Sequence, residues 1–474
     1  MKKTRQQPKK PVTKLSVAAP VSVLRAGRMT WSLLLLFILA LCYLTYTLVT
    51  ESPYYMAMSG KAGYGIVYDR KGDVLFDGTR PLSEYPDGHF ADVGSLIGDT
   101  SGQMSNTLVA RNRMALVNYS FMDGAARSTS SIETTLLHSA NRKVFDALGN
   151  KNGTVIACNW KTGEILVCVS KPCVDIAEGY ANIATMPKGS LLCKAFYPTV
   201  PGSTQKVSTL IAAYETCGVE EINSLQYDCS GAWLNENGQR INCHKSSGHG
   251  TQTTYEAFRN SCNPFFAQLV QSKQLPLSRI LRVFTNMGYG VNGEKADALS
   301  VNGITASAAS LTLTDDGDFD TQWACLGQGD TLISPLQLML WQSAIANGTG
   351  TAMQPYLIAC TTSVDGKTVA GSSAGKTKQM FSAETAVAVR TIMMENAQAQ
   401  YSNHLGAYSC GAKSGTAQVT EDGKEYENSL LAGFCTDNDL PIAFCIVIEN
   451  RKSGELTTAQ VAGTLLKALD GAIS

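Results

Sequence analysis

The chain has 474 residues, 44% of them hydrophobic and 16% charged, which excludes a disordered or fibrous protein and exceeds the length that one core usually organises. Lysine plus arginine balances aspartate plus glutamate at 39 each, so nothing in the charge points to nucleic acid. The balance conceals an asymmetry: eight of the basic residues stand before residue 31 and all 39 acids after it, which leaves the remainder at a net of −8.

Those eight residues (Lys2, Lys3, Arg5, Lys9, Lys10, Lys14, Arg25, Arg28) make 1–30 a flexible basic tail. Trp31 to Val49 carries no charge and is long enough, at about 1.5 Å per residue, to cross a hydrocarbon core of ~30 Å. The basic flank puts the amino terminus on the cytoplasmic side. The run is long and no small-x-small site follows closely, which argues for an uncleaved anchor over 31–50 rather than a signal peptide. Leu41 before Cys42 argues against lipid attachment. All that follows is then expected outside the cytoplasm.

Gly65 to Phe76 alternates as strand, turn at Lys71-Gly72, and strand. To about residue 130 the text is rich in Gly, Ser, Asp and Asn, and 51–148 reads as a small membrane-proximal module. It closes on a helical stretch within Ile132 to Leu148 that stops at Gly149. Thr154 to Trp160 and Glu164 to Val169, joined at Lys161-Thr162-Gly163, form a hairpin of core strands and open a second unit, 149–474. A helix containing Ser203 runs to Cys217-Gly218. Residues 254–346 read mainly as helices, among them Pro264 to Leu275 and Pro335 to Asn347. Lys413 to Val419, Leu431 to Thr436 and Ile442 to Glu449 read as strands, and Leu456 to Leu469 as a closing helix. Strands early and late with helices between imply an α+β unit with one sheet whose halves meet across the sequence.

Thirteen cysteines lie outside the anchor and cannot all pair; either most are reduced, buried small hydrophobes or disulfides form poorly where the protein lives. Cys229 and Cys243 flank a hairpin pattern around Asn237-Gly238 and are candidates for a bridge across it. With His244 and His249 the stretch also admits a zinc reading, but the spacing fits no standard pattern, and the expectation is no metal. Asp315, Asp316, Asp318 and Asp320 do not match a calcium loop and read as a solvated turn.

Three short patterns carry chemistry. In Pro201-Gly202-Ser203-Thr204-Gln205-Lys206, serine and lysine three apart share a helical face. Val207 and Leu210 on or beside the same stripe desolvate the amine and move it toward the role of a base. In Ser261-Cys262-Asn263, the residue before Pro264 is expected to be extended, so that Ser261 and Asn263 face the same way. In Lys413-Ser414-Gly415-Thr416, a strand, the glycine permits close approach of another backbone.

In this order, Ser-x-x-Lys, Ser-x-Asn and Lys-[Ser/Thr]-Gly form the motif set of penicillin-binding proteins and serine β-lactamases, and the chain resembles that family. Tyr197-Pro198, His249-Gly250, Gly327-Gln328-Gly329 before Ser334-Pro335-Leu336-Gln337, and Lys413 to Gln418 are similar to the monofunctional class B members. The resemblance covers about 150–474, and 60–150 more loosely. It implies a transpeptidase domain built on a five-stranded antiparallel sheet flanked by helices. It implies further that Ser203 attacks a D-Ala-D-Ala carbonyl and carries the acyl group, Lys206 takes its proton, and Ser261 relays a proton to the leaving amine while Asn263 positions Lys206. Lys413 supplies positive charge, Ser414 and Thr416 hold the terminal carboxylate, and Gly415 lies between them. Ser203 and Thr416 would supply the N–H groups of an oxyanion hole.

No cofactor is implied. The implied partners are peptidoglycan stem peptides, β-lactams and a polytopic membrane glycosyltransferase. Cys262 stands where many β-lactamases have Asp, and Ala62-Gly63 where an Arg-Gly pair is frequent in the class. Rival readings are a β-lactamase, against which stands the lack of Glu-x-x-Leu-Asn, a β-lactam sensor, which needs more membrane passes, and a D,D-carboxypeptidase.

Overall fold

The computed structural model describes residues 21–121, 124–125, 128–272, 274–314, 318–371, 375–421 and 423–473. Its first element is a single helix of 38 residues, Val21–Met58, long and apolar enough to cross a membrane, with only Ala57 buried. The helix begins ten residues before the expected anchor and ends eight beyond residue 50, so 21–30 are helical rather than flexible. No proline lies between Val21 and Ser52, and the backbone continues its i to i−4 bonds through the basic flank despite Gly27, whose cost of about 1 kcal/mol the long apolar run carries.

Next to it lies a five-stranded sheet in the order Thr368–Ala370, Ile358–Thr362, Ser131–Thr134, Ile66–Tyr68, Val74–Asp77. Ile66–Tyr68 pairs antiparallel with Val74–Asp77, as its strand-turn-strand pattern predicts, and parallel with Ser131–Thr134. The segment from Ile132 is therefore a strand first, and the helix after it is shorter, His138–Ala147. The hairpin 358–370 returns to this sheet from far along the chain.

The second sheet also has five strands, all antiparallel, in the order Cys410–Glu421, Lys424–Cys435, Ile442–Ile448, Gly153–Asn159, Ile165–Lys171. Its central strands read as unbroken apolar runs because both faces are covered. Val155, Ala157, Phe444 and Ile446 face one buried cluster with the closing helix Thr458–Leu469 and the helix His138–Ala147. Ile156, Cys158, Ala443 and Cys445 face the other, with the helices Pro335–Ala346 and Gln205–Cys217. The second cluster runs on into the first sheet through Val67, Phe76 and Ile132. All 14 cysteines are free thiols. Ala232–Leu234 and Arg240–Asn242 pair as the expected hairpin between Cys229 and Cys243. Asp318 accepts a hydrogen bond from the Thr314 hydroxyl at 2.7 Å and precedes the helix Phe319–Cys325; Asp315 and Asp316 lie outside the described residues.

Candidate active site

Ser203 sits in a short 3-10 turn, Gly202–Thr204, that runs directly into the helix Gln205–Cys217. Gly202 has φ 53°, and a Cβ there would stand 2.5 Å from the carbonyl oxygen of Thr416, so only glycine lets the turn lie against the edge strand Cys410–Glu421. Gly415 makes the reciprocal approach: its Cβ would be 2.6 Å from the carbonyl oxygen of Pro201 and 3.1 Å from the backbone nitrogen of Ser203. The N–H of Gly202 is held by the carbonyl of Gly327 at 2.9 Å.

One turn along the helix, Lys206 is fully buried. Its Nζ is 3.0 Å from Ser203 Oγ, 2.7 Å from the Ser261 carbonyl, 3.2 Å from Ser261 Oγ and 2.7 Å from Asn263 Oδ1. Below it lies the Phe266 ring, 5.6 Å away. A neutral amine has two N–H donors and one lone pair. The carbonyl and the amide oxygen at 2.7 Å take the two donors, which leaves the lone pair for the Ser203 proton. Burial, and after it the Lys413 charge, hold this amine well below its usual range, against an opposing pull from the Cys262 and Cys243 thiols.

Ser261 and Asn263 come together by a turn and not by the extended geometry that the proline suggested. Asn263 is the first residue of the helix Asn263–Gln271 with Pro264 in its first turn, where the ring is tolerated. The extended conformation passes to Cys262, φ −71° and ψ 110°, and Ser261 takes a left-handed one, φ 49°. Asn263 Nδ2 donates to the Asn242 carbonyl at 3.0 Å, which fixes its Oδ1 toward Lys206.

On the edge strand, Lys413 lies on the buried face and Ser414 and Thr416 on the open one. The long Lys413 side chain still reaches the cleft: Nζ donates to Ser261 Oγ at 3.0 Å and to the Ser414 carbonyl at 2.9 Å, with the Phe258 ring 5.8 Å away. Burial brings its pKa down to about 7. The strand's alternation, which left open whether Lys413 or Thr416 meets a ligand, therefore places both at the site. Ser203, Ser261, Asn263, Lys413, Ser414, Gly415 and Thr416 line one cleft of about 730 Å³.

Tyr401 has no sequence signal and yet lines this cleft. Its hydroxyl donates to Ser414 Oγ at 2.7 Å and accepts from the Ser414 N–H at 3.1 Å. Its helix, Ala383–Leu405, buries Thr385, Ala386, Val389, Ile392, Met393, Asn396 and Ala397, a stripe at helical spacing whose small and polar members dull the hydrophobic pattern. The Ser382 cap was the readable sign of it. Gln328, from the Gly327-Gln328-Gly329 motif, donates to the Thr416 carbonyl at 3.3 Å.

Residues 153–469 match the family described as the penicillin binding protein transpeptidase domain. The chain is 30% identical over 325 residues to stage V sporulation protein D of Bacillus subtilis, covering 67% of this chain and 48% of that protein. It is 25% identical to the peptidoglycan D,D-transpeptidase PbpA of Mycolicibacterium smegmatis, covering 70% of this chain and 69% of that protein. The first of these matches spans about half of its relative's length. The penicillin G acyl-enzyme complex of penicillin-binding protein A from M. tuberculosis superposes on 86% of this chain and 99% of its own with a TM-score of 0.72, at 19% identity. Two thirds of the sequence, the antiparallel sheet and the three motifs meeting in one cleft agree: the chain belongs to the penicillin-binding protein transpeptidase family, on its class B branch.

Proposed function

We propose that the protein is a serine D,D-transpeptidase that cross-links peptidoglycan stem peptides and is acylated by β-lactams. The observation that carries this reading is the fully buried Lys206 amine, 3.0 Å from Ser203 Oγ with both of its N–H donors engaged elsewhere. Lys206 accepts the Ser203 proton as Oγ attacks the carbonyl of the penultimate D-Ala. The oxyanion is stabilised by the N–H groups of Ser203 and Thr416, a role supported by the closeness of the strand at Gly415 to the Ser203 nitrogen. The C–N bond breaks, Ser261, between the two lysines, passes a proton to the departing D-Ala amine, and an ester on Ser203 remains. An amine of a neighbouring stem peptide then displaces Ser203 and forms the cross-link. Asn263 positions Lys206 and the substrate amide, and Lys413, Ser414 and Thr416 receive the terminal carboxylate. None of these steps calls for a cofactor.

The same reading divides the chain into a basic cytoplasmic tail (1–30), an anchor (31–50), a membrane-proximal module (51–148) and an extracytoplasmic transpeptidase unit (149–474). The anchor and module are the parts that would dock a polytopic glycosyltransferase. Co-purification from membranes tests that partnership, and its failure would count against it.

Mapping the adduct of a fluorescent penicillin tests the acyl-enzyme. A label on Ser203 that is lost in Ser203→Ala is expected, and a label elsewhere would refute the assignment. Incubation with lipid-linked pentapeptide glycan distinguishes the outcomes of deacylation. Cross-linked dimers are expected; D-Ala release without dimers would mean a carboxypeptidase.

A further inference from the structure

The hairpin that precedes the Ser261-Cys262-Asn263 turn gathers four metal-ligating side chains that the catalytic steps do not use. Cys229 ends the strand Gln226–Cys229, Cys243 and His249 stand at the two ends of the loop between Arg240–Asn242 and Gly250–Thr253, Cys262 lies in the turn before the helix Asn263–Gln271, and their donor atoms all lie within 4.8 Å of one another. His249 Nδ1 is 3.7 Å from Cys229 Sγ and 3.4 Å from Cys243 Sγ. A tetrahedral zinc ion with Zn–S bonds of about 2.3 Å and a Zn–N bond of about 2.0 Å sets sulfur and nitrogen ligands about 3.5 Å apart. The three cysteines are buried and His249 is half-buried.

Beside the Cys262 sulfur lies the Gln252 side chain, 2% exposed, whose Nε2 has no hydrogen-bond partner. His244, which the sequence reading grouped here, stands outside the cluster, and Cys262, which it did not include, completes it.

We propose that Cys229, Cys243, His249 and Cys262 bind one zinc ion, with all four positions filled by the protein, and that the ion holds the Ser261 to Asn263 turn in its active shape. Three thiolates and an imidazole form a soft donor set that selects zinc over calcium or magnesium. The positioning follows from connectivity. Cys262 lies between Ser261 and Asn263, and Cys243 follows Asn242, whose carbonyl receives the Asn263 amide. The ion therefore grips the turn from within and the hairpin that braces it, and it offsets the left-handed conformation of Ser261. This second part rests on the catalytic reading of Ser261 and Asn263; the metal site itself does not.

The test uses the full chain, purified in detergent with its thiols reduced. Elemental analysis is expected to find about one zinc per chain, and replacement by cobalt(II) to give the visible absorption of a tetrahedral thiolate site. Cys243→Ser and His249→Ala should each lose both signals. Where these variants do not fold, wild-type protein stripped by a chelator takes their place. Stripping should slow fluorescent-penicillin labelling of Ser203 by about tenfold or more, the scale on which metal-supporting contacts act, and added zinc chloride should restore it. No zinc after incubation with zinc chloride, or a disulfide among these cysteines in the isolated protein, would overturn the site. Full occupancy with a labelling rate that stripping leaves unchanged would overturn the positioning role. Zinc held by a chain that no penicillin labels would support the site and refute the catalytic reading.

Discussion

Lys413→Met separates the two forces that keep Lys206 neutral. Both Nζ atoms bond to Ser261 Oγ, at 3.2 Å from Lys206 and 3.0 Å from Lys413, which puts the amines no more than about 6 Å apart. Two unit charges at ~6 Å in an effective dielectric of ~20 repel by about 2.8 kcal/mol, or about two pKa units. The base works only when neutral, so acylation rises with pH through the Lys206 pKa, and a lower pKa extends activity toward acid. Removing the neighbouring charge raises that pKa and moves the acid limb to higher pH. Lys413 has a pKa of about 7 and is fully charged only below neutrality. The expected displacement is therefore about one to two units, greatest where the limb of the wild type is most acidic. The assay is the second-order rate of fluorescent-penicillin acylation from pH 5 to 9. The plateau is expected to fall as well, because the ligand carboxylate loses a cation, but the plateau and the limb are read separately. A limb that stays in place would mean that burial alone, the larger of the two causes, sets the Lys206 pKa, and the charge argument would be wrong.

Tyr401→Phe removes the partner of the Ser414 N–H and hydroxyl, and should lower kcat/KM for D-Ala-D-Ala peptides by about tenfold, mainly through KM. Gly415→Val puts side-chain atoms against the Pro201 carbonyl and the Thr204 nitrogen, both backbone; labelling of Ser203 should be lost while far-ultraviolet circular dichroism is retained. Asp92→Asn breaks a buried charge held by Arg142 at 2.8 Å and His138 at 3.3 Å, and should destabilise the protein by about 3 kcal/mol in denaturant unfolding. Burial pulls the His138 pKa down, but the hydrogen bond and charge of Asp92 outweigh it and raise it above the ordinary value. The stability from this pair is thus complete below about pH 6.5 and lost as pH rises through the raised pKa. Unfolding midpoints should fall from pH 6 to 8 in the wild type, and a fall just as steep in Asp92→Asn would refute the pairing.

Much of the site was legible because its parts are short-range patterns. Ser203 and Lys206 lie one helical turn apart, and the apolar stripe that buries the amine is written beside them in Val207 and Leu210. The core strands around Val155 and Val167 announced themselves as unbroken apolar runs. What stayed hidden depends on contacts across the sequence. The hairpin 358–370 has partly exposed strands of mixed polarity and becomes a sheet edge only because Ser131–Thr134 waits for it. Pro264 was correctly read as a boundary but shifted by one residue, since the helix accommodates proline in its first turn. Cys262 gave no sign of its neighbours: the spacing of Cys229, Cys243, His249 and Cys262 is set by a hairpin and a strand pairing, not by a local loop.

The reactive state of the site belongs to the assembled fold and to no single segment. Lys206 comes from a helix, Ser261 from a turn between helices and Lys413 from the sheet edge, and each amine is dry only because the other segments roof it over Phe266 and Phe258. Parting the edge strand from the Ser203 turn would admit water to both lysines and let their pKa values return toward about 10.4, where a neutral base is scarce at pH 7. The contact that resists this is backbone against backbone at Gly202 and Gly415, with little apolar area of its own. Activity should therefore disappear at lower denaturant than the sheet does, because the lysines need only local opening to be silenced while the buried strands unfold with the core.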